Sequence, residues 1–516
     1  MQSSLPLHPH QDMDYVDVAI IGAGISGIGA AAQLGQKLPN KSLALLESRG
    51  ALGGTWDLYR YPGIRSDSDM HTLGFGFKPW REEKVLADGP SILAYLDETA
   101  DEYDVRRHIR FHHRLRRASW SSTRARWELE IERTDTGETT YMSCAFLFMC
   151  SGYYDFEKPH RVHFEGEEDF RGRIFHPQLW PEDLDYAGKR VVVIGSGATA
   201  MTIVPAIAED VAHVTMLQRS PTYVVSRPAN DAIADLLRRF LPERLAYRWV
   251  RAKNIFLQDL LYRRTRTSPE KVKKTLLDRV RKSLGPDYDV EKHFTPRYNP
   301  WDQRLCLIPN EDLFEAIKSG KASVVTDTIE RVTPDGIRLD SGEELQADII
   351  VVATGLNMKF LGDIPFDVDG EEVRFSDRIT YKGLMYSDLP NLVHTFGYVN
   401  ASWTLRADLN AEFVCRLLDH MDRNGTTRCT PRIPEADRAM PLRPWIEDFS
   451  AGYIQRILDR FPKQGDREPW VHTQRFARDR EIVGKAPLDD GALIFDDPRQ
   501  SEAVGETNFD AEQQSA

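Results

Sequence analysis

The sequence predicts an α/β protein with two dinucleotide-binding, Rossmann-like domains, the second interrupted by a helical insertion. Three observations carry this. An apolar run opens into a glycine-rich loop at Gly22, a second such unit begins at Gly195, and residues 230–295 turn helical and strongly basic. A chain of 516 residues with 41% hydrophobic content has material for two or three cores.

Residues 1–14 are polar and expected to be flexible. Residues 16–21 (VDVAII) read as a buried strand running into GAGISG, a G-x-G-x-x-G at Gly22, Gly24 and Gly27 that encloses Ser26. The first glycine makes the turn and the second lets backbone approach a pyrophosphate. The third lets the helix pack on the strand, and the helix N-terminus faces the phosphates. A helix continues to about residue 38, and a strand over 42–46 ends in Glu47, placed where an acid binds ribose hydroxyls.

Residues 53–69 (GGTWDLYRYPGIRSDSD) read from turn chemistry alone as a surface loop. Strand-like segments follow over 109–131. His112 and His113 adjoin on an alternating strand and face opposite ways, so they read as surface and core residues rather than metal ligands. Residues 146–150 form another buried strand.

The second unit repeats the grammar. Residues 191–194 are a strand leading into GSGATA, a G-x-G-x-x-A at Gly195, Gly197 and Ala200 with Ser196, Ala198 and Thr199 between. The next strand, 213–217, ends in Gln218 and Arg219 instead of an acid. An arginine there suits the 2′-phosphate of NADPH, and Ser220 adds a hydroxyl donor.

In the insertion, residues 238–282 hold 15 Lys and Arg against 4 Asp and Glu, in a chain of net charge −12. Leu241, Leu245, Trp249, Ala252, Phe256 and Leu260 recur at three and four, an apolar stripe with Arg244, Arg248 and Arg251 near it. Two readings stand. A basic amphipathic helix docks on an anionic membrane or a partner, whereas a cap packed over the active site keeps its basic face in water. Residues 348–352 are a buried strand ending in Ala353, Thr354 and Gly355, read as the return to the first domain. Asn400 and Trp403 are expected near the pocket, ahead of a helix with Phe413 and Leu417, and 486–516 form a flexible acidic tail.

The acidic balance argues against nucleic acid as a partner. Five cysteines without a C-x-x-C or a zinc-ligand spacing exclude a thioredoxin-reductase-like dithiol and a metal centre, and they point to a reducing compartment. No apolar run reaches membrane-span length and the N-terminus lacks a signal pattern, so a cytoplasmic location is expected.

Between the two glycine loops, residues 170–181 (FRGRIFHPQLWP) give F-x-G-x-x-x-H-x-x-x-W-P at Phe170, Gly172, His176, Trp180 and Pro181. This resembles the fingerprint of the Baeyer-Villiger monooxygenases, flavoenzymes that insert one oxygen atom of O2 beside a carbonyl. Residues 53–69 match the same family at Gly53, Gly54, Trp56, Tyr61, Pro62, Gly63 and Asp67. The runs HPQLWPEDLDY, GSGATA, YNPWDQRLCL and NASWTLRADL look most like its ethionamide-activating branch.

The resemblance implies FAD on residues 15–155 and 340–485 and NADPH on 156–339, with the insert at 230–295. It implies FAD contacts at Ser26, Thr55, Trp56, Asp57 and Leu58 and at the backbone near Leu115. Asp67 would reach both flavin and nicotinamide, with Arg65 and Ser66 beside it. It marks Arg304 as the active-site arginine, held by Asp67, and implies that His176 and Trp180 couple the domains. Where related enzymes often carry a lysine before that arginine, this chain has Gln303, which leaves NADPH selectivity more to Arg219. The implied activity is conversion of ketones to esters or lactones through a C4a-peroxyflavin, with oxidation of sulfides and thioamides. A flavin monooxygenase restricted to nitrogen or sulfur oxidation and a non-catalytic nucleotide sensor are the alternatives.

Overall fold

The structure, a computed structural model, describes residues 13–447 and 449–498. The larger sheet is built around Asp14–Ile21, which lies parallel between Leu43–Leu46 and Thr139–Met149, with Val18 opposite Leu43 on one side and Phe146 on the other. Both faces of this strand are covered, which is why its sequence is a continuous apolar run rather than an alternation. The helices Ile25–Lys37 and Trp403–Asn424 pack together on one face through Ile28, Leu34, Phe413 and Leu417. His113–Ser121 and Arg126–Arg133 extend the sheet antiparallel, and Phe366–Val368 and Leu392–His394 join it from the C-terminal half.

The second sheet is parallel throughout, in the order Ala322–Thr326, His213–Gln218, Arg190–Ile194, Ile349–Val352, Arg173–Phe175. Helices Ala198–Ile207 and Asp312–Lys318 cover one face through Ile203, Val204, Leu313 and Phe314. The insertion forms the helices Ala232–Phe240, Glu243–Thr267, Pro269–Leu284 and Val290–Phe294. No helix among the described residues is long and apolar enough to cross a membrane.

Three expected boundaries are corrected. Ile349–Val352 does not open the return to the first domain, because it hydrogen-bonds along Arg190–Ile194 in the second sheet, and the chain rejoins the first sheet only at Phe366. A buried run followed by Ala-Thr-Gly looks the same in either sheet, so residues 340–352 were misplaced. Residues 486–498 are not a loose tail: Leu488, Ala492 and Leu493 are buried, and Leu493–Asp496 pairs antiparallel with Arg428–Pro431. Acidic surface positions masked an edge strand. Asp14 already belongs to the first strand rather than to the flexible start. The rest of the expected flexible ends, 1–12 and 499–516, lies outside the described residues.

Arg406 and Asp479, both fully buried, form an ion pair at 2.6 Å that joins the long helix Trp403–Asn424 to the C-terminal helix Phe476–Ile482. Tyr398 and Thr473 also donate to the Asp479 carboxylate. Removing one charge strands the other in a dry interior. Asp479→Ala is expected to destabilise the protein by about 3–5 kcal/mol, and Arg406→Met combined with Asp479→Leu by far less. Denaturant unfolding of the three proteins measures both.

Candidate functional site

Both glycine loops open into one cavity of about 1360 Å3. On the first side its wall includes Gly22, Gly24, Ser26, Glu47, Thr55, Trp56, Leu58, Arg65, Ser66, Asp67 and Leu115. Gly22 has φ +103°, and a Cβ there would sit 2.7 Å from the Cys150 carbonyl oxygen, so turn and close approach both require glycine. Gly27 does not line the cavity. A Cβ on it would stand 1.9 Å from the Gly22 carbonyl oxygen, so its work is to let the helix lie on the strand. Glu47 is buried, accepts from the Ala23 and Arg49 amides at 2.9 Å each, and has its carboxyl pushed up by burial.

Asp57 departs from expectation. It lies off the cavity, its carboxylate held by Arg49 and, at 2.6 Å, by Arg60. In the short helix Thr55–Leu58 its neighbours Trp56 and Leu58 take the cavity side. Ser26 Oγ accepts from Trp403 Nε1 at 2.7 Å, which sets that indole against the first loop. Asn400 turns away and donates to the Gln474 carbonyl instead.

On the second side Gly195, Ser196, Gly197, Ala198, Thr199, Arg219 and Ser220 line the cavity. Ala200 is buried in the core beneath them and repeats the packing role of Gly27. Arg219 stands exposed at the tip of His213–Gln218, with no carboxylate at ion-pair distance among the described residues. Ser196 Oγ donates to the Ser220 carbonyl at 3.0 Å, which fixes the rim. Gln218 points inward, donating to the His293 carbonyl and to Thr326.

Where the two sides meet, Arg304 donates from Nε to Asp67 Oδ2 at 2.7 Å, and its Nη2 lies 2.6 Å from the same oxygen in the ion pair. The Asp67 carboxylate holds the guanidinium charged, well above the usual arginine range. Tyr153, Tyr154 and Tyr453 are near enough to feel that charge, and burial raises all three phenols. Tyr153 stacks on Trp403 with ring centroids 5.1 Å apart and donates to the Tyr154 hydroxyl at 2.9 Å. Sequence reasoning missed these tyrosines. Two neighbouring tyrosines after a strand carry no spacing signal, and Tyr453 comes from a short helix near the C-terminus.

Residues 65–67 also tie the two sides together. Arg65 bonds Asp312 at 2.5 Å and the Met201 carbonyl at 3.3 Å, while the Ser66 hydroxyl closes a local turn onto the Ser68 carbonyl. Arg173–Phe175, within the 170–181 stretch, is the edge strand of the second sheet, and a Cβ on Gly172 would stand 2.1 Å from the Asp348 carbonyl oxygen. His176 is buried off the cavity. Its Nε2 donates to the Gly355 carbonyl at 2.9 Å and its Nδ1 accepts from the Gln178 amide, and burial lowers its pKa. Trp180 packs edge-on against Phe175 and Tyr186, and Phe170 packs beneath the second sheet. The Pro181 carbonyl accepts from the Leu184 amide at 3.3 Å. None of Phe170, His176, Trp180 and Pro181 reaches the cavity.

The residues fit two dinucleotides. Ser151 Oγ and Thr354 Oγ1 are buried in the cavity wall with no hydrogen-bond partner among the described residues, and nothing lies within 4 Å of a Cβ built on Gly197. The family model "Flavin-binding monooxygenase-like" matches residues 85–416. This chain belongs to that family. A second model, "NAD(P)-binding Rossmann-like domain", matches residues 20–86. The FAD-containing monooxygenase EthA of Mycobacterium tuberculosis is 52% identical over 483 residues, covering 93% of this chain and 98% of its own. The probable FAD-binding monooxygenase AlmA of Acinetobacter baylyi is 47% identical over 93% of this chain and 96% of its own. Among solved structures, a steroid monooxygenase bound to NADP superposes with a TM-score of 0.74 at 22% identity, over 94% of this chain and all of that one. The protein is an FAD- and NAD(P)H-dependent monooxygenase, and the non-catalytic sensor reading falls away.

The two glycine environments predict opposite outcomes. Gly172→Ala forces a methyl into backbone and is expected to lower the melting temperature. Gly197→Ala meets no protein atom, so it should leave the ligand-free melting temperature unchanged while weakening dinucleotide binding by about 1–3 kcal/mol, the usual cost of overpacking a close approach. Thermal unfolding and nucleotide titration separate the two.

Proposed function

We propose that this monooxygenase converts ketones to esters or lactones and oxidises sulfides and thioamides, with FAD on the Gly22 side of the cavity and NADPH on the Gly195 side. The observation that carries the reading is the Arg304 guanidinium, clamped by Asp67 at the junction of the two sides. FAD, reduced at the expense of NADPH, supplies the activation of O2. Glu47 is placed for the ribose hydroxyls of the first nucleotide, and the N-terminus of Ile25–Lys37 for its pyrophosphate. Arg219 and Ser220 are placed for the 2′-phosphate of the second.

Attack on a carbonyl builds negative charge on oxygen, and in a site from which water is excluded that charge needs a fixed positive partner. Arg304 is that partner. Asp67 sets the plane of the guanidinium, so little reorientation is needed as charge develops. Tyr153, Tyr154 and Trp403 wall the same space with aromatic surface. His176 ties the edge strand of the second sheet to the turn at Gly355 and Trp180 packs on Phe175 of that strand, which suits coupling between the nucleotide sites better than chemistry. The sulfur substrates follow from likeness to the ethionamide-activating branch. A cytoplasmic location accords with the five free, buried cysteines.

Arg304→Ala is expected to bind FAD and accept electrons from NADPH, yet to make no ester and to release hydrogen peroxide. Arg304→Lys should recover little, because a flexible ammonium does not reproduce the planar fork. Stopped-flow reduction with product analysis reads both halves, and normal ester formation by the alanine variant would remove Arg304 from the reaction. Sulfoxide formation without any ester in the wild-type protein would favour the enzyme restricted to nitrogen or sulfur oxidation. For Arg219→Ala, the kcat/KM preference for NADPH over NADH should fall by about 1.5–3 kcal/mol, the value of a hydrogen bond to a charged group.

A further inference from the structure

The insertion carries its apolar stripe on the outside. In the helix Glu243–Thr267 the inward row is Tyr247, Arg251, Asn254 and Gln258, spaced at three and four. Tyr247 donates to the Phe75 carbonyl at 2.9 Å, and Arg251 donates to the carbonyls of His71 and Gly74 and pairs with Asp408. Asn254 and Gln258 donate to the Asp69 carboxylate. The inward side of the helix is therefore seated by these polar contacts together with the buried Ala246, Tyr247 and Val250. Two residues away along the chain, about 200° around the axis, runs Leu245, Trp249, Ala252 and Phe256. Trp249 is 62% exposed and Phe256 63%. In the preceding helix, Ala232–Phe240, Ile233, Leu236 and Phe240 share a face, and Phe240 is 78% exposed.

Most of the large exposed apolar side chains among the described residues lie on these two helices, and the others are scattered over the rest of the protein. A concentration of this kind marks a contact surface rather than ordinary surface noise. Its rim is positive. Arg239, Arg244 and Arg248 are exposed, with no carboxylate at ion-pair distance among the described residues. This excess of positive charge stands out in a chain of net charge −12.

We infer that the outer face of the helices Ala232–Phe240 and Glu243–Thr267 docks on an anionic lipid surface. Charge complementarity selects that occupant. Among the described residues, a second copy of this chain groups exposed large apolar side chains only on its own insertion, and that pairing sets positive rim against positive rim. A bilayer of anionic lipid supplies both what Trp249, Phe256 and Phe240 need and what the arginines need, with the helices lying in the interface plane. The attraction is weakened by salt because part of it is electrostatic.

The test is flotation of the purified holoenzyme with vesicles of equal parts phosphatidylglycerol and phosphatidylcholine, against vesicles of phosphatidylcholine alone. The wild-type protein should float with the anionic vesicles at low salt, less so at about 0.15 M, and stay behind with the neutral ones. Trp249→Ser combined with Phe256→Ser should abolish flotation, as should Arg244→Glu combined with Arg248→Glu. All four side chains are exposed and outside the cavity, so NADPH oxidation with a water-soluble ketone should be unchanged in both variants and reports that they fold. Equal flotation with both vesicle types, or wild-type flotation by either variant, overturns the proposal. So does sedimentation showing a dimer that the Trp249 and Phe256 substitutions dissolve, which would assign the face to self-association.

Discussion

The arrangement of the site depends on two residues of one loop, Arg65 and Asp67, reaching from the first domain into the second. Arg65 bonds Asp312 and the Met201 carbonyl, and Asp67 accepts from Arg304 Nε with Nη2 at ion-pair distance on the same oxygen. Charge-assisted bonds of this kind are directional and fix orientation as well as distance. They do not come free. Burial pushes the Asp312 carboxyl up even with Arg65 beside it, so desolvation outweighs the attraction there. Such a pair adds little stability, and what it supplies is register between the two nucleotide sites.

That explains how the site was legible in the sequence and where it was not. The glycine loops and Glu47 could be read because backbone geometry restricts the residue types. Gly22 needs a positive φ and Gly27 and Gly172 leave no room for a methyl, so the pattern is forced. Arg304 could not be picked from spacing among so many arginines and came only from family likeness. Asp57 shows the limit of that likeness, since its carboxylate serves Arg49 and Arg60 rather than the cavity. The tyrosines around Arg304 were invisible because they converge from segments some 300 residues apart along the chain, and aromatic residues fill cores and pockets alike.

The fold was legible to the same degree and for the same reason. Apolar runs identify buried strands but not the sheet they join, so Ile349–Val352 was given to the wrong domain. Periodicity identifies an amphipathic helix but not which face is turned to the protein. Leu245, Trp249 and Phe256 make an apolar row of Glu243–Thr267, yet the protein is met by Arg251, Asn254 and Gln258 beside the buried Ala246, Tyr247 and Val250, because the loop beneath offers carbonyls and the Asp69 carboxylate. Buried carbonyls demand donors more strongly than exposed leucines demand cover.

The same helix also sets the position of Arg304. In its last turn Arg266 bonds Asp302 at 2.9 Å and the Trp301 carbonyl at 2.7 Å. The Ser450 amide and hydroxyl close on the Asp302 carbonyl from the C-terminal half. Trp301 itself sits at φ +69°, a conformation that an L-residue holds only where its surroundings determine it. Three residues later the chain becomes Arg304 and then enters the strand Cys306–Pro309, paired with Val224–Arg227. The loop is thus pinned by the insertion at one end, by the second domain at the other, and by the C-terminal segment between them. The guanidinium that meets Asp67 is thus carried on a loop that all three hold, so the insertion is part of the site's geometry as well as of the protein's surface.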